Sequence, residues 1–387
     1  MASAVKKKGG LISQMGRPNL GSLSTYSEEI RQIIKRLRKK NPGWGPEFII
    51  LEMKELYDYQ TSDLPSPSNL YLFLKQSGFI KEKQPAAPLP TPKCKKAKYA
   101  HYKWEMDAKG ARLVQGIGNQ SLINIKDDYS KKYCMAFPVA VKNRNTQPAT
   151  IHYMWALRIA FTESGLPKMI QVDKDSVFIE NTTKSPFPRP LHLWLIALGI
   201  ELCFIDRPPP AENSMVERSH QTFYNQAMKG KTYPKWGAFF KNILLRRKRL
   251  NEKYPSKSLG KKAPLQLYPE AAHSGATFCV EQEAKLLDLK KVYAFLAKSK
   301  WYRLVGASSR CAYLGGHSYY LKKVPPKRSV TITFCNRSKK LIFHDVNEQI
   351  LIKLPIKGIS IDALMGNSTK ELANQYKRLF KTKDFPF

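Results

Sequence analysis

The pattern of apolar and polar positions between residues 24 and 80 predicts three short helices. Four branched aliphatic side chains recur at helical spacing among basic residues: Ile30, Ile33, Ile34 and Leu37. Asn41-Pro42-Gly43 ends this helix, and a second one follows Pro46, with a predicted buried face of Phe48, Ile49, Leu51 and Leu56. Ser66-Pro67-Ser68 caps a third helix, Asn69 to Gln76, which Gly78 closes.

Three short helices with a capped third helix predict a helix-turn-helix domain over 23–80, whose last helix enters the major groove of DNA. The residues of this helix that we expect to contact DNA are Ser68, Asn69, Tyr71 and Lys75. The alternative is a plain three-helix bundle with a basic face. Ahead of it, residues 1–22 form a flexible basic arm, in which Gly16-Arg17-Pro18 either places Arg17 in a minor groove or is a mere loop.

Residues 81–99 are rich in Pro, Lys and Ala and lack apolar periodicity, which predicts a semi-rigid linker. Over 100–270 the pattern alternates between strands and helices. Strands are predicted at 104–107, 121–126, 132–139, 168–173 and 201–205, and helices at about 148–163, 191–198, 214–229 and 236–253. A meander of three strands followed by αβ alternation implies an α/β sheet with an antiparallel edge.

A second kind of pattern begins near Ala284. Short alternating strands at 330–334, 340–343 and 349–354 predict a small C-terminal β-barrel or β-sandwich over 284–360, followed by a basic tail over 361–387. The chain is therefore predicted to be multidomain, with an all-α N-terminal domain, an α/β core and a small β-barrel.

The charge balance indicates the kind of molecule that the protein binds. The 387 residues include 66 Lys and Arg against 30 Asp and Glu, for a net charge of +36 that is spread along the whole chain. Such self-repulsion favours an acidic partner, and nucleic acid is the first candidate. No apolar run is long enough to span a membrane, and no apolar segment of a signal peptide follows the N-terminal lysines. The six cysteines contain no Cys-x-x-Cys pair, so a zinc module is not predicted.

Three carboxylates occupy positions where an α/β sheet binds ligands. Asp107 and Asp173 end predicted strands, and Glu217 lies in the first turns of a predicted helix. Such a set can hold two Mg²⁺ ions for phosphodiester chemistry. Taken singly, each is better explained as a turn acid or a solvated helix residue; taken together, on these elements and in this order, they favour a catalytic site. The competing acids are Glu105, Asp206 and Glu212, and alternation places Glu105 on the Asp107 face, one residue pair lower.

The segments around these acids resemble the Asp-Asp-Glu signature of the retroviral-integrase superfamily, and in detail they are similar to bacterial insertion-sequence transposases. The resemblance covers about 100–350. It is carried by Trp104-Glu105-Met106-Asp107, Val172-Asp173-Lys174-Asp175-Ser176-Val177-Phe178 and Met215-Val216-Glu217-Arg218-Ser219-His220-Gln221-Thr222, with Asp127-Asp128-Tyr129-Ser130 as the strand turn. Gly316 to Lys357 resembles the small C-terminal barrel of related transposases, and Arg17-Pro18 with the 24–80 helices resembles their N-terminal domain.

The chain departs from the family pattern in two places. Asp173-Lys174-Asp175 stands where the family has Asp-Asn-Gly, so Asp175 is the alternative second aspartate; Ser176 and Phe178 match the family only if Asp173 is chosen. The separation from Asp173 to Glu217 is also long, with extra residues around Lys184 to Pro190 that an inserted surface loop explains.

The helix that carries Glu217 is expected to follow DNA beside the metals. Its predicted DNA contacts are Arg218, Gln221, Asn225 and Lys229, and residues three or four apart share a face. His220 is interpreted as a polar packing residue. Trp301-Tyr302-Arg303 is expected either to clamp DNA or to belong to the barrel core.

The resemblance implies an RNase-H-like core that cuts transposon ends and joins them to target DNA, with two Mg²⁺ ions for which Mn²⁺ substitutes. It implies double-stranded DNA as partner, a homo-oligomer on DNA, a possible helper ATPase and a bacterial nucleoid location. Two alternatives stay open: a non-catalytic, domesticated transposase that acts as a DNA-binding regulator, and an RNase-H-like nuclease that hydrolyses without joining.

Overall fold

The computed structural model describes residues 21–80, 97–180, 185–205, 214–322 and 324–366, and the backbone of two short strands, β1 (Lys6–Lys7) and β2 (Gly10–Leu11). The chain divides into two compact units, 1–86 and 87–387. Several predictions lie outside the described residues, namely those for Arg17, Asp206, Glu212, most of the linker and the tail beyond residue 366.

The first unit contains the three predicted helices, α1 (Glu28–Lys40), α2 (Pro46–Tyr57) and α3 (Pro67–Gln76). The Ser27 hydroxyl accepts a hydrogen bond from the Ile30 amide and caps α1, and Ser66 caps α3 in the same way. The α2 face differs from the prediction. Ile49, Glu52 and Met53 are its buried residues, whereas Leu56 is 61% exposed, so the core on this helix ends before its last turn.

The second unit is built on a five-stranded mixed sheet. Its strands are β3 (Lys103–Val114), β4 (Gly118–Asp127), β5 (Tyr133–Ala140), β6 (Met169–Asp173) and β7 (Glu201–Ile205). The order is β5-β4-β3-β6-β7, in which β3, β4 and β5 are antiparallel and β3, β6 and β7 are parallel. The predicted α/β sheet with an antiparallel edge is confirmed.

Helices pack around this sheet. They are α4 (Thr150–Ser164), α5 (Pro190–Ala197), α6 (Ser214–Phe223), α7 (Trp236–Glu252), α8 (Pro264–Leu267), α9 (Glu283–Leu286), α10 (Leu289–Leu296) and α11 (Ile361–Met365). A π-helical segment, Tyr224–Met228, continues α6, so the helix predicted over 214–229 is not a single α-helix. No helix of the described ranges is long and apolar enough to cross a membrane.

The C-terminal part contains six strands: β8 (Lys300–Leu304), β9 (Cys311–Leu314), β10 (His317–Tyr320), β11 (Ser329–Cys335), β12 (Lys340–His344) and β13 (Ile350–Pro355). Four form an antiparallel sheet of order β13-β12-β11-β8, while β9 and β10 pair only with each other. The predicted β-barrel is therefore wrong for the described residues: because no strand bridges β8 to β13, the sheet keeps two edges. It shares one hydrophobic core with the mixed sheet, to which Trp104, Trp194 and Trp301 all belong.

One buried histidine should make the stability of this unit depend on pH. His101, 3% exposed, accepts a hydrogen bond from the Trp104 indole at Nδ1, so its other nitrogen donates to the Ala271 carbonyl. Burial, with the nearby charge of Lys132, lowers the pKa of His101 to about 4 from 6.5. The unfolded chain then binds more protons below pH 6.5, and stability falls as the pH falls from 6.5 towards 4.

The shift of His101 corresponds to about 3 kcal/mol, present above pH 6.5 and lost near pH 4. The expected result is that His101→Gln is less stable than the wild type at pH 7.5 but loses less stability between pH 7.5 and 4.5. Urea unfolding at both pH values measures this. His192, whose pKa burial also lowers to about 4, is present in both proteins and cancels in the comparison. An unchanged pH dependence would show that His101 is not the group responsible.

Candidate active site

The three predicted carboxylates come from neighbouring elements. Strands β3 and β6 pair in parallel up to Glu105 and Gln171, so Asp107 and Asp173 each lie two residues beyond the last pair. Asp173 ends β6, whereas Asp107 does not end its strand as predicted, because β3 continues to Val114 in its pairing with β4. Glu217 lies in the first turn of α6, which packs against β3 and β4.

The charges of these side chains act on one another. Partial burial, together with the negative charges of Asp107, Glu217 and Asp175, raises the pKa of Asp173. Burial, with the charges of Asp175 and Asp107, also raises the pKa of Tyr153. The two strand carboxylates, Asp175 and Tyr153 line one cavity of about 180 Å³. Such mutual repulsion is relieved by a bound cation.

The carboxylates of this site are the type of ligand that suits magnesium. Carboxylate oxygens are the ligands that Mg²⁺ prefers, and it keeps several waters, so it does not need an enclosing protein cage. Among the described residues, no three His, Cys, Asp or Glu side chains are close enough to surround a metal ion. A Mg²⁺ ion here would have Asp107 and Asp173, which line one cavity, as its nearest carboxylates, with Glu217 near enough for its charge to act on Asp173.

His220 is more than the polar packing residue that the sequence indicated. It is 6% exposed, and the Asn124 amide lies 3.0 Å from its Nδ1. With Asn124 donating to Nδ1, the neutral ring carries its proton on Nε2, which donates to Asp107 Oδ2 at 3.1 Å. Because Asn124 is the β4 partner of Asp107, the sheet register itself places the residue that holds His220. His220 therefore fixes the orientation of the Asp107 carboxylate.

Glu105 supports the helix that carries Glu217. It lies on the same face of β3 as Asp107, is 5% exposed, and accepts a hydrogen bond from the backbone of Val216 at the start of α6. Burial and the charge of Asp128 raise its pKa to about 7, against the opposing effect of Lys103. Glu105, the sequence-based alternative to the three carboxylates, therefore anchors the start of α6.

The predicted DNA contacts after Glu217 are exposed or half-buried. Arg218, Gln221 and Lys229 are exposed, and Asn225 is half-buried. The Gln221 amide donates to the Asn225 carbonyl at 2.9 Å, so these two side chains share a face as expected. In the first unit, Ser68, Asn69, Tyr71 and Lys75 are exposed on α3. Contact of either group with DNA stays a prediction.

The segment Trp301-Tyr302-Arg303 divides between the two roles expected for it. Trp301 is 2% exposed and its ring lies 5.0 Å from that of Phe187, while Arg303 pairs with Glu180 at 2.8 Å. Both side chains belong to the packing of the C-terminal sheet. Tyr302 alone is exposed.

Comparison with known proteins gives a similarity to integrases. No family model matches the sequence. The chain is similar to the HTLV-2 integrase catalytic core domain in complex with magnesium, in its dimeric form, at 12% identity and a TM-score of 0.31 over 45% of this chain and 99% of that one. The trimeric form gives 12% identity and a TM-score of 0.32 over 44% and 99%.

A longer similarity is to the simian T-cell lymphotropic virus intasome in complex with PP2A regulatory subunit B56 gamma. It has 11% identity and a TM-score of 0.34 over 79% of this chain and 96% of that one.

Proposed function

We propose that the protein is a Mg²⁺-dependent DNA transposase that cuts transposon ends and joins them to target DNA. The observation that carries this proposal is the placement of Asp107 and Asp173 on one cavity, with the Glu217 charge acting on Asp173, in a chain with a net charge of +36. Carboxylates beside an open cavity suit a metal ion, and the excess of Lys and Arg suits a polyanion.

The residues around the site have different roles in a two-metal reaction. Asp107, Asp173 and Glu217 would hold the ions, which activate the attacking oxygen and stabilise the leaving oxygen of a phosphodiester. His220 fixes the Asp107 carboxylate by its hydrogen bond, and Glu105 anchors the first turn of α6. Mn²⁺, which accepts the same oxygen ligands, is expected to replace Mg²⁺.

DNA binding is assigned to three regions. The α1–α3 unit acts as a helix-turn-helix that reads the transposon ends through Ser68, Asn69, Tyr71 and Lys75, with Arg17 in the adjacent groove. The core is RNase-H-like. Its contacts with the DNA strand beside the metals are Arg218, Gln221, Asn225 and Lys229. Because two ends must be held together, a homo-oligomer forms on DNA. A helper ATPase and a nucleoid location belong to the same proposal.

A second candidate is a non-catalytic DNA-binding regulator. The net charge of +36 and the three-helix unit fit this candidate as well as they fit a transposase. It uses the same basic surfaces and needs none of the three carboxylates to bind a metal.

The test uses the purified full chain, labelled DNA that carries the sequences flanking its gene, and a supercoiled target. Reactions run in Mg²⁺, in Mn²⁺ and in EDTA. Metal-dependent joined product supports the transposase. DNA binding without cleavage or joining in any metal supports the regulator, and hydrolysis without joining supports a nuclease.

A further inference from the structure

A second cavity is lined by His220, the hydrogen-bond partner of Asp107 in the acidic cavity. Its volume is about 140 Å³, and it is bounded by β3 and β4 below and by α6 with the π-helical segment above. Glu217 and His220 line this cavity, whereas Asp107 lines the acidic cavity. Because His220 donates to Asp107, the two cavities meet at this hydrogen bond.

Two backbone irregularities shape this cavity. In β3 the register shifts between Lys109 and Arg112, which pair with Leu122 and Gln120, so β3 holds one residue more than β4. Opposite this bulge, α6 widens into the π-helical segment Tyr224–Met228. Both kinds of irregularity occur preferentially at functional sites, where they redirect side chains. Here the bulge and the π-helical segment both direct side chains into the same cavity.

The floor of the cavity holds an unsatisfied acceptor. Gln120 is 1% exposed, and its Nε2 donates to the Ile117 carbonyl at 2.9 Å. This bond fixes which end of the amide is the oxygen, and Oε1 has no hydrogen-bond partner among the described residues. Buried acceptors are almost always satisfied, so a ligand of this cavity should present an N–H or O–H donor to Gln120.

The walls and mouth describe the rest of the ligand. Leu122 and Met228 give buried apolar walls, and Tyr224 adds an aromatic ring over which the Arg112 guanidinium lies at 5.3 Å. Lys109 and Arg112 are exposed at the mouth. A flat apolar ring with a hydrogen-bond donor, attached to a phosphate, has all these properties, and a nucleotide is such a molecule.

We propose that this cavity receives an unpaired nucleobase of the DNA strand held at the carboxylates, with its exocyclic amino group donating to Gln120 Oε1. The inference rests on the proposed function, because it needs DNA at the neighbouring site. It adds a preference that the carboxylates lack: an extruded or overhanging adenine is held, and the same position without a base is not.

Binding of the full chain to four labelled DNAs in Ca²⁺, which takes the same oxygen ligands as Mg²⁺, tests the proposal by fluorescence anisotropy. They are a short blunt duplex and the same duplex with a 3′ overhang of deoxyadenosines, of nebularine nucleotides, which lack the amino group, or of abasic nucleotides. All three overhangs carry the same phosphates. We expect the adenine overhang to bind about tenfold more tightly than the abasic one, with nebularine between them.

Two variants and a control locate the effect. Gln120→Met removes the acceptor at nearly constant volume and should make adenine and nebularine bind alike. Tyr224→Ala removes the ring from a half-buried position and should reduce the advantage of both bases over the abasic overhang. Gln349→Met makes the matched exchange at an exposed residue after β12 and should leave the order of affinities unchanged.

The outcomes separate this inference from the proposed function. If wild-type protein binds the duplex but does not distinguish adenine from abasic overhangs, the inference is wrong and the proposed function stands. The same holds if Gln120→Met keeps the adenine preference over nebularine. If no DNA is bound, the proposed function fails and the base cavity fails with it.

Discussion

Replacement of Asp173 by Asn is expected to reduce strand transfer by about 10³-fold, since loss of a metal-binding charge costs about 4 kcal/mol in the transition state. Asp107→Asn and Glu217→Gln should have effects of the same size. Each exchange keeps the shape of the side chain and removes one negative charge from the site, where burial together with the charges of Asp107 and Glu217 raises the pKa of Asp173. Single-turnover joining of a pre-cut end in Mg²⁺ measures the chemical step.

The matched control for this prediction is Asp175→Asn, two residues away in the same cavity. The Asp175 carboxylate accepts hydrogen bonds from the Ser176 hydroxyl at 3.1 Å and the Val177 amide at 3.2 Å, so it holds the turn after β6. An amide oxygen accepts the same bonds, and we expect Asp175→Asn to keep most of the activity.

Anisotropy with the end DNA in EDTA must show that all four proteins still bind it, because the residues assigned to end recognition on α3 are intact in each. If Asp175→Asn abolished joining and Asp173→Asn did not, the two aspartates would exchange roles. Wild-type joining by all three variants of the proposed metal ligands would remove the transposase proposal itself.

Local signals account for the parts of the fold that the sequence predicted well. Ser66 precedes α3 and Gly78 follows it, so local residues mark both ends of this helix. The short apolar run Glu201–Ile205 coincides with β7, whose limits are those predicted. Asp173 ends β6 and Glu217 lies in the first turn of α6, as local patterns predicted, whereas Asp107 lies within β3, because the pairing with β4 extends that strand to Val114. The parallel pairing of β3 and β6 then places Asp107 and Asp173 at corresponding positions.

Contacts distant in the sequence account for what was missed. Asp107 and His220 are 113 positions apart, and nothing near His220 indicates that its ring meets a strand carboxylate. The bulge after Lys109 depends on the pairing of β3 with β4. The cavity next to it depends on the π-helical segment, which the apolar periodicity of the sequence does not predict. In the C-terminal sheet, β8 finds its partner in β11 and not in the next strand, so neither pairing nor barrel closure follows from local alternation.

A buried ion pair holds the helices behind the sheet, and it too joins distant segments. Arg158 of α4 binds Glu283 of α9 through two bonds of 2.8 Å, with both side chains at most 6% exposed. The Trp194 indole donates to the same carboxylate at 2.7 Å, and Arg158 also donates to the Met365 carbonyl at 3.0 Å. The guanidinium lies 5.0 Å from the ring of Trp155.

Glu283→Gln is expected to destabilise this unit by about 3–5 kcal/mol, because it leaves the Arg158 charge buried without a counter-charge. Arg158→Met should cost a similar amount by isolating the Glu283 carboxylate. Urea unfolding followed by tryptophan fluorescence measures both. Glu281→Gln, close by on a partly exposed turn, is the matched control and should change stability little.

The double variant Arg158→Met with Glu283→Gln decides what the pair contributes. Since neither charge is then left alone, its loss of stability should be smaller than the sum of the two single losses. Additive losses would mean that each side chain acts through separate packing, Arg158 on the Trp155 ring and Glu283 on the Trp194 indole. Coupled losses would mean that one charge pair ties α4, α9 and the end of α11 together, so that the C-terminal elements stabilise the helix layer behind the carboxylates.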